Sequence, residues 1–170
     1  SYLCNGTPIP GQTETKLAVG VTTPSTVSAP AITNYEFDSW KLGSGVQAVN
    51  ATKDPIQITT LATGDYTLAA NYTKIELTYN VTVPVGTPAC YIAGEMNSWT
   101  LTEMTKVDDT HYTITIDGAT TEHKYKYACG DSWDYVELKA DGSSVDDRTY
   151  NAKDVVAKWS KPDTYTIAGT

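Results

Sequence analysis

Long apolar runs are absent from this chain of 170 residues. No window of about 18 apolar residues occurs, so no membrane-spanning helix and no membrane insertion are expected. No segment of helical period exceeds about two turns, and no helix is predicted. Histidine is scarce, with His111 and His123 alone. The three cysteines, Cys4, Cys90 and Cys129, include no Cys-x-x-Cys pair. A zinc site is therefore not expected. Basic residues are few: 12 Lys and Arg stand against 20 Asp and Glu, for a net charge of −8. That balance argues against nucleic acid, whose phosphates need a basic patch, and against an anionic membrane surface. A neutral polysaccharide needs no charge complement.

What is present is tyrosine (12 residues, against one Phe), with 12 Gly and 8 Pro spread throughout. This composition predicts an all-β protein rich in turns. The length suits one large or two small domains, and the Pro84/Gly86/Pro88 cluster marks a boundary within residues 78–89. We read the domains as 1–83 and 84–170. The chain opens at Ser1-Tyr2-Leu3-Cys4 with no signal-peptide pattern. We take it as part of a longer, exported polypeptide, secreted or at the cell surface. Cys90 and Cys129 lie on strands of one domain and either bridge or remain two buried thiols; Cys4 is the odd one.

In the first half, residues 16–22 alternate weakly as a strand. Tyr35 and Phe37 share a strand face with Trp40 following, and Ile56 and Ile58 share a face opposite Gln57 and Thr59. A turn at Gly64-Asp65 leads to a strand carrying Tyr66 and Leu68. Three elements recur together: Tyr-x-Phe-x-x-Trp at 35–40, Ser-Gly-Val at 44–46 and Gly-Asp-Tyr-Thr-Leu-x-Ala-Asn-Tyr at 64–72. Over about residues 15–75 this half resembles the bacterial repeat domain of internalin B-repeats and related surface proteins. The resemblance implies a small β-rich spacer or adhesion domain without catalytic residues.

In the second half, strands are expected near 89–95, 111–117, 122–129 and 154–159, with a shorter one near 135–139 and an edge strand at 161–167. Tyr112, Ile114 and Ile116 alternate with Thr113 and Thr115. Alternation would also set Val155, Ala157 and Trp159 on one face, with Trp40 and Trp159 both in cores. Two tryptophans follow polar turns instead, Trp99 after Gly-Glu-Met-Asn-Ser and Trp133 after Cys-Gly-Asp-Ser. Between them Tyr125 and Tyr127 share one strand face, assigned to the core with hydroxyls near the rim, and Lys124 and Lys126 share the other. Either tryptophan is alternatively a core residue, and Lys126 alone is an ordinary solvated lysine.

The GEMNSW turn and the EHKYKYACGDSW element resemble the starch- and glycogen-binding modules of the early-set immunoglobulin-like class, over about residues 89–159, with Met96 where the family has Phe. The resemblance implies a C-terminal immunoglobulin-like β-sandwich. It implies that Trp99 and Trp133 stack on glucose and that Lys126 bonds sugar hydroxyls. Asn151, just before the last strand, takes the place of the family's asparagine, and its other reading is a turn cap. Asp134 is a weaker candidate that accepts a hydroxyl or bonds nearby backbone. Tyr150 is either a third aromatic surface or rim packing. Arg148 has no counterpart, and a salt bridge to Asp146, Asp147 or another nearby acid is its default role.

Acids occur in nearly every loop, yet no glycosidase carboxylate motif, Gly-x-Ser-x-Gly elbow or Walker loop is present. Asp141-Gly142 with Asp146 and Asp147 lacks EF-hand spacing. We expect no enzyme activity, no metal and no cofactor. The predicted function is non-catalytic binding of α-1,4-glucan. The alternatives are a structural or adhesive surface segment, or a module for another polysaccharide such as a β-glucan.

Overall fold

The computed structural model describes residues 1–12, 25–61 and 67–161. The expected strand at 16–22, the Gly64-Asp65 turn with Tyr66, and all but the first residue of the 161–167 strand lie outside them. The chain is all-β, with two single 3-10 turns at Glu95–Asn97 and Trp133–Tyr135 and no longer helix among the described residues. It divides into two compact units, Ser1–Ile75 and Glu76–Thr170.

The first unit holds β1 (Tyr2–Cys4), β2 (Thr7–Pro8), β3 (Ser25–Val27), β4 (Tyr35–Leu42), β5 (Val46–Val49), β6 (Ile56–Leu61) and β7 (Leu68–Lys74). They form two sheets, ordered β2-β1-β7-β4 and β3-β6-β5. Ile56 and Ile58 are fully buried while Gln57 and Thr59 face out, as the alternation predicts. Tyr35, Phe37 and Trp40 all turn inward although their spacing breaks the period of two. A β-bulge between Phe37 and Ser39 resets the phase, and Phe37 packs on Trp40 with ring centroids 5.5 Å apart.

The second unit holds β8 (Glu76–Thr82), β9 (Tyr91–Gly94), β10 (Thr102–Glu103), β11 (Thr105–Lys106), β12 (His111–Asp117), β13 (Tyr125–Ala128), β14 (Glu137–Leu138), β15 (Asp154–Val155) and β16 (Lys158–Trp159). One sheet runs β11-β12-β8-β15. A second runs β10-β9-β13, and a bridge from Ala128 to Val136 leads on towards the β14-β16 pair. Side chains from both sheets meet in one core around Tyr79, Val81, Ile92, Tyr112, Tyr125, Tyr127 and Trp159, a sandwich-like arrangement.

The division falls earlier than the Pro/Gly cluster suggests. β8 pairs along its whole length with β12 and buries Tyr79 and Val81, so it is a central strand of the second unit. Pro84 to Thr87 is a corner inside that unit. The Thr87 N–H and hydroxyl both donate to the Pro84 carbonyl, at 3.2 and 2.7 Å. Buried Thr87 in turn accepts the Trp159 indole N–H at 2.9 Å on its hydroxyl and the Tyr112 hydroxyl at 3.0 Å on its carbonyl.

A second correction concerns residues 154–159. Val155 and Ala157 are exposed while Val156 and Trp159 are buried. The strand is interrupted: β15 pairs with β8 in one sheet and β16 with β14 in the other, so the chain changes sheets and the alternation does not carry through.

Candidate functional site

β9 and β13 pair antiparallel, with Lys126 opposite Ala93 and Ala128 opposite Tyr91. Ile92, Tyr125 and Tyr127 point into the core, so Tyr91, Ala93, Lys126 and Ala128 share the outer face. The chain leaves each strand through a tight turn that ends in a tryptophan.

The turn after β9 is organised by Asn97. Its Oδ1 accepts the Gly94 N–H at 2.8 Å, and its Nδ2 donates to the Ile92 carbonyl at 3.2 Å and the Thr102 hydroxyl at 3.0 Å. The Trp99 N–H closes the turn on the Gly94 carbonyl at 2.8 Å. Only glycine fits at position 94: a Cβ there would run into the Lys124 carbonyl and come within 2.7 Å of the Tyr125 Cβ. Half-buried Met96 packs on the core edge, the filling role expected of it. Ser98 and Trp99 both sit in the left-handed region, at φ 54° and 58°. For residues with a Cβ that conformation costs about 1–2 kcal/mol each, which the surrounding hydrogen bonds must offset. A bulky residue held there suggests a position selected for where its side chain points.

The turn after β13 is simpler. Gly130 lies against the Tyr135 ring, where a Cβ would approach to 2.8 Å, and the Ser132 hydroxyl caps the short helical turn by accepting the Asp134 N–H at 3.2 Å. Trp133 opens that turn and is 46 % exposed.

The two indoles meet. Their ring centroids lie 6.2 Å apart with planes inclined at 47°. Trp99 is half-buried. Ala93 and Ala128 are fully buried although they alternate away from the core, so the outer face is covered at this point. Small side chains there leave room for large ones above the sheet.

Lys126 lies on the same outer face, and its ammonium pairs with Asp147 at 3.1 Å. Residues 147–149 run beside β13, because Tyr125 and Arg148 exchange both backbone hydrogen bonds. Asp147 and Thr149 project outward to Lys126 and Lys124. Arg148 projects inward, and its partners are Glu137 and Asp154 rather than Asp146 or Asp147. Its guanidinium holds both Glu137 oxygens, reaches Asp154 Oδ1 at 3.1 Å and lies over the Tyr127 ring. Burial alone would lower the Arg148 pKa, but Glu137 and then Asp154 hold it above its usual value. This buried network fixes the strip that carries Asp147.

The remaining candidates are placed differently. The Tyr125 and Tyr127 hydroxyls are not at a rim; both donate to buried Asp154 Oδ2, at 2.6 and 3.0 Å. Exposed Asn151 donates its backbone N–H to the Tyr125 hydroxyl at 3.2 Å, on the core side of β13, and its Oδ1 accepts the Lys153 N–H at 3.3 Å. That is the turn-capping role. Tyr150 packs edge-to-face on Tyr79 with centroids 5.6 Å apart and donates its hydroxyl to the Thr78 carbonyl at 3.1 Å. Asp134 is exposed beside Trp133, its carboxylate 3.5 Å from Lys161. The structure thus brings Trp99 and Trp133 together, sets Lys126 on the outer face of the strand pair whose turns carry them, and engages Tyr150 and Asn151 elsewhere.

Asn97, Tyr91 and Asp147 escape a reading of the sequence alone. For Tyr91 the signal is parity with Ala93. Asp147 is one acid in an acid-rich loop, and only the inward turn of Arg148 sets it facing out. Among the described residues no group of three or more His, Cys, Asp or Glu side chains is arranged to hold a metal ion, and no helix is long and apolar enough to cross a membrane. No protein-family model, curated protein or solved structure matches the chain.

Proposed function

We propose that the second unit is a non-catalytic binding module for α-1,4-glucan, in an immunoglobulin-like sandwich of the starch- and glycogen-binding kind. The first unit is then a repeat-type spacer, and the whole belongs to an exported or cell-surface polypeptide. The observation that carries this reading is the inclined, partly exposed pair of indoles. An indole face covers the apolar face of a pyranose. Two faces at 47° suit a chain whose successive rings turn relative to one another, as in α-1,4-glucan, whereas the flat ribbon of a β-1,4-glucan calls for coplanar rings. Lys126 supplies donors to hydroxyls at the margin.

Stacking removes apolar surface from water at about 25 cal/mol per Å². A face of roughly 50–100 Å² contributes about 1–3 kcal/mol before ordering costs. Two faces and a few hydrogen bonds give a Kd between ~10 μM and ~1 mM. Calorimetric titration with maltoheptaose, beside cellohexaose as the β-linked control, tests this. Trp99→Ala and Trp133→Ala should each weaken maltoheptaose binding by about tenfold or more, since each 1.4 kcal/mol is tenfold, and chromatography should show the sugar uncleaved. Binding of cellohexaose alone would point to the β-glucan alternative. No binding of either sugar would leave the adhesive or structural alternative, and wild-type affinity in both variants would put the glycan site elsewhere than the indole pair.

A further inference from the structure

β9 and β13 pair with Tyr91 opposite Ala128 and Gly94 opposite Tyr125. Continuing that register by one residue sets Cys90 directly opposite Cys129. Hydrogen bonding decides which kind of pair this is. The Cys90 carbonyl accepts from the Met104 N–H at 2.8 Å, on the side away from β13, and the Cys129 N–H donates to the Tyr135 carbonyl at 3.0 Å, on the side away from β9. The next inward pair follows suit: the Ile92 carbonyl is taken by Asn97 and the Tyr127 N–H by Glu137. Cys90 and Cys129 therefore form a non-hydrogen-bonded pair, the closer of the two antiparallel types, with Cα atoms about 4.5 Å apart. A disulfide spans Cα separations of about 4.4–6.8 Å.

Both side chains point to the same face. Cys90 is 0 % and Cys129 2 % exposed, in one core. The Cys90 thiol is pushed far up by burial, with the nearby Glu137 carboxylate and then the Cys129 sulfur adding to it. In the thiol state the sulfurs lean to different carbonyls, Cys90 Sγ to Tyr91 at 4.0 Å and Cys129 Sγ to Lys161 at 3.2 Å. Closing a bond means leaving both. Cys4, the remaining cysteine, belongs to the first unit.

We propose that Cys90 and Cys129 are a disulfide site, closed during folding by exchange with a low-molecular-weight disulfide. One cysteine thiolate attacks the small disulfide and releases one small thiolate, leaving a mixed disulfide on the protein. The second cysteine thiolate then attacks the protein sulfur of that mixed disulfide, forms the Cys90–Cys129 bond and expels the second small thiolate. Two protein thiols are oxidised, one small disulfide is reduced to two thiols, and the two protein protons pass to them. A fully buried, neutral thiol is a poor nucleophile, so the exchange belongs to the stage before β9 and β13 close. The bond ties the end of the ladder from which the Trp133 turn leaves: Cys90 precedes β9 and Cys129 opens that turn, while the Trp99 turn leaves the opposite end, after Gly94.

The full chain is unfolded in denaturant, refolded in a mixture of reduced and oxidised glutathione, and isolated as folded monomer. It is then alkylated in denaturant without reductant and mapped by mass spectrometry. The expected product is lighter by two hydrogens, alkylated at Cys4 alone, with peptides containing Cys90 and Cys129 linked. Adding reductant should lower the melting temperature of the second unit by on the order of 10 °C. A Cys90→Val/Cys129→Val variant should show no such shift, while Cys4→Ser should retain the link. Alkylation of all three cysteines in the refolded monomer, or a link from Cys4 to either of the others, would overturn the proposal. None of these readouts involves a glycan, so this proposal and the binding reading fail separately.

Discussion

In the first unit Phe37, Trp40 and Tyr72 meet at inclined angles around one core, and Trp40 is 6 % exposed. The second unit fills its core with a chain of edge-to-face tyrosines, Tyr150, Tyr79, Tyr125 and Tyr127, and buries Trp159 to the same 6 %. Each unit thus has a core tryptophan among the described residues. Only the second has a further indole pair, carried on the turns that leave β9 and β13 and partly exposed. A core gains nothing from holding Trp99 at a positive φ. The contrast separates aromatic residues that stabilise a unit from aromatic residues that the unit positions.

The comparison depends first on where one unit ends. β8 supplies seven residues of ladder and the buried Tyr79 and Val81 at the centre of its sheet. A fragment of residues 84–170 should therefore be unfolded, whereas 76–170 should give dispersed amide signals in proton NMR and a β-type far-UV circular dichroism spectrum. Dispersed signals from the shorter fragment would return the boundary to the Pro84/Gly86/Pro88 cluster.

The tryptophans offer the next test. Trp40→Ala and Trp159→Ala should each cost about 3–5 kcal/mol in denaturant titrations. Trp99→Ala and Trp133→Ala should stay near the ±0.5 kcal/mol usual for surface changes. Phenylalanine sharpens the contrast between the two core residues. The Trp159 indole N–H donates to Thr87, whereas the buried Trp40 Nε1 has no partner among the described residues. Trp159→Phe should thus cost about 1 kcal/mol more than Trp40→Phe. Should Trp99→Ala destabilise as much as Trp159→Ala, the outer pair is part of the packing.

Much of this architecture is legible from alternation alone. Ile56 with Ile58, and Tyr112 with Ile114 and Ile116, face inward as their period requires. The two polar turns announce Trp99 and Trp133 as different from Trp40 and Trp159. Alternation carries no information about which sheet a strand joins, so it shows neither that β8 belongs to the second unit nor that the chain changes sheets within 154–159. A period of two also cannot register the bulge that brings Trp40 onto the face of Phe37. Asp154 and Glu137 look like ordinary acids in sequence. Their burial depends on Arg148 and two tyrosine hydroxyls converging from separate strands, and no local pattern records that.

The tyrosine core also sets a difference in alkaline stability. Burial first, then the neighbouring Tyr150 and Asp154, push Tyr79 up to about 12, and burial raises Tyr125 and Tyr127 further. A phenol whose folded pKa is raised stays neutral in the folded state while the unfolded chain ionises near pH 10. Its contribution is therefore complete below pH 10 and is lost as the pH rises towards 12. Tyr72, the core tyrosine of the first unit, is raised by burial as well, but it stands without the hydroxyl cluster around Asp154. Melts of the full chain between pH 9 and 12, followed by NMR signals from each unit, should show the second unit losing stability more steeply. Tyr79→Phe should flatten that slope. An equal loss in both units would remove this distinction.

The smallest expected effect bears on how the outer face is positioned. The Lys126–Asp147 pair is partly exposed, with side chains 24 % and 50 % accessible, so it adds little to stability, at most about 1 kcal/mol. Its consequence lies in orientation: Asp147 is carried by a strip that Arg148 anchors from the inside, and it holds the Lys126 ammonium above the β9–β13 ladder. If the proposed glycan site is right, Lys126→Ala should weaken maltoheptaose binding by roughly 3- to 10-fold, the equivalent of one net hydrogen bond. Asp147→Asn keeps the shape and releases the ammonium, and should weaken binding by only about 2-fold. If Asp147 acts through Lys126, the double variant binds no worse than Lys126→Ala alone, because the second change then has nothing left to misplace. Additive losses in that cycle would instead put Asp147 in contact with the glycan. An unchanged affinity in Lys126→Ala would leave the indole pair as the whole of the site.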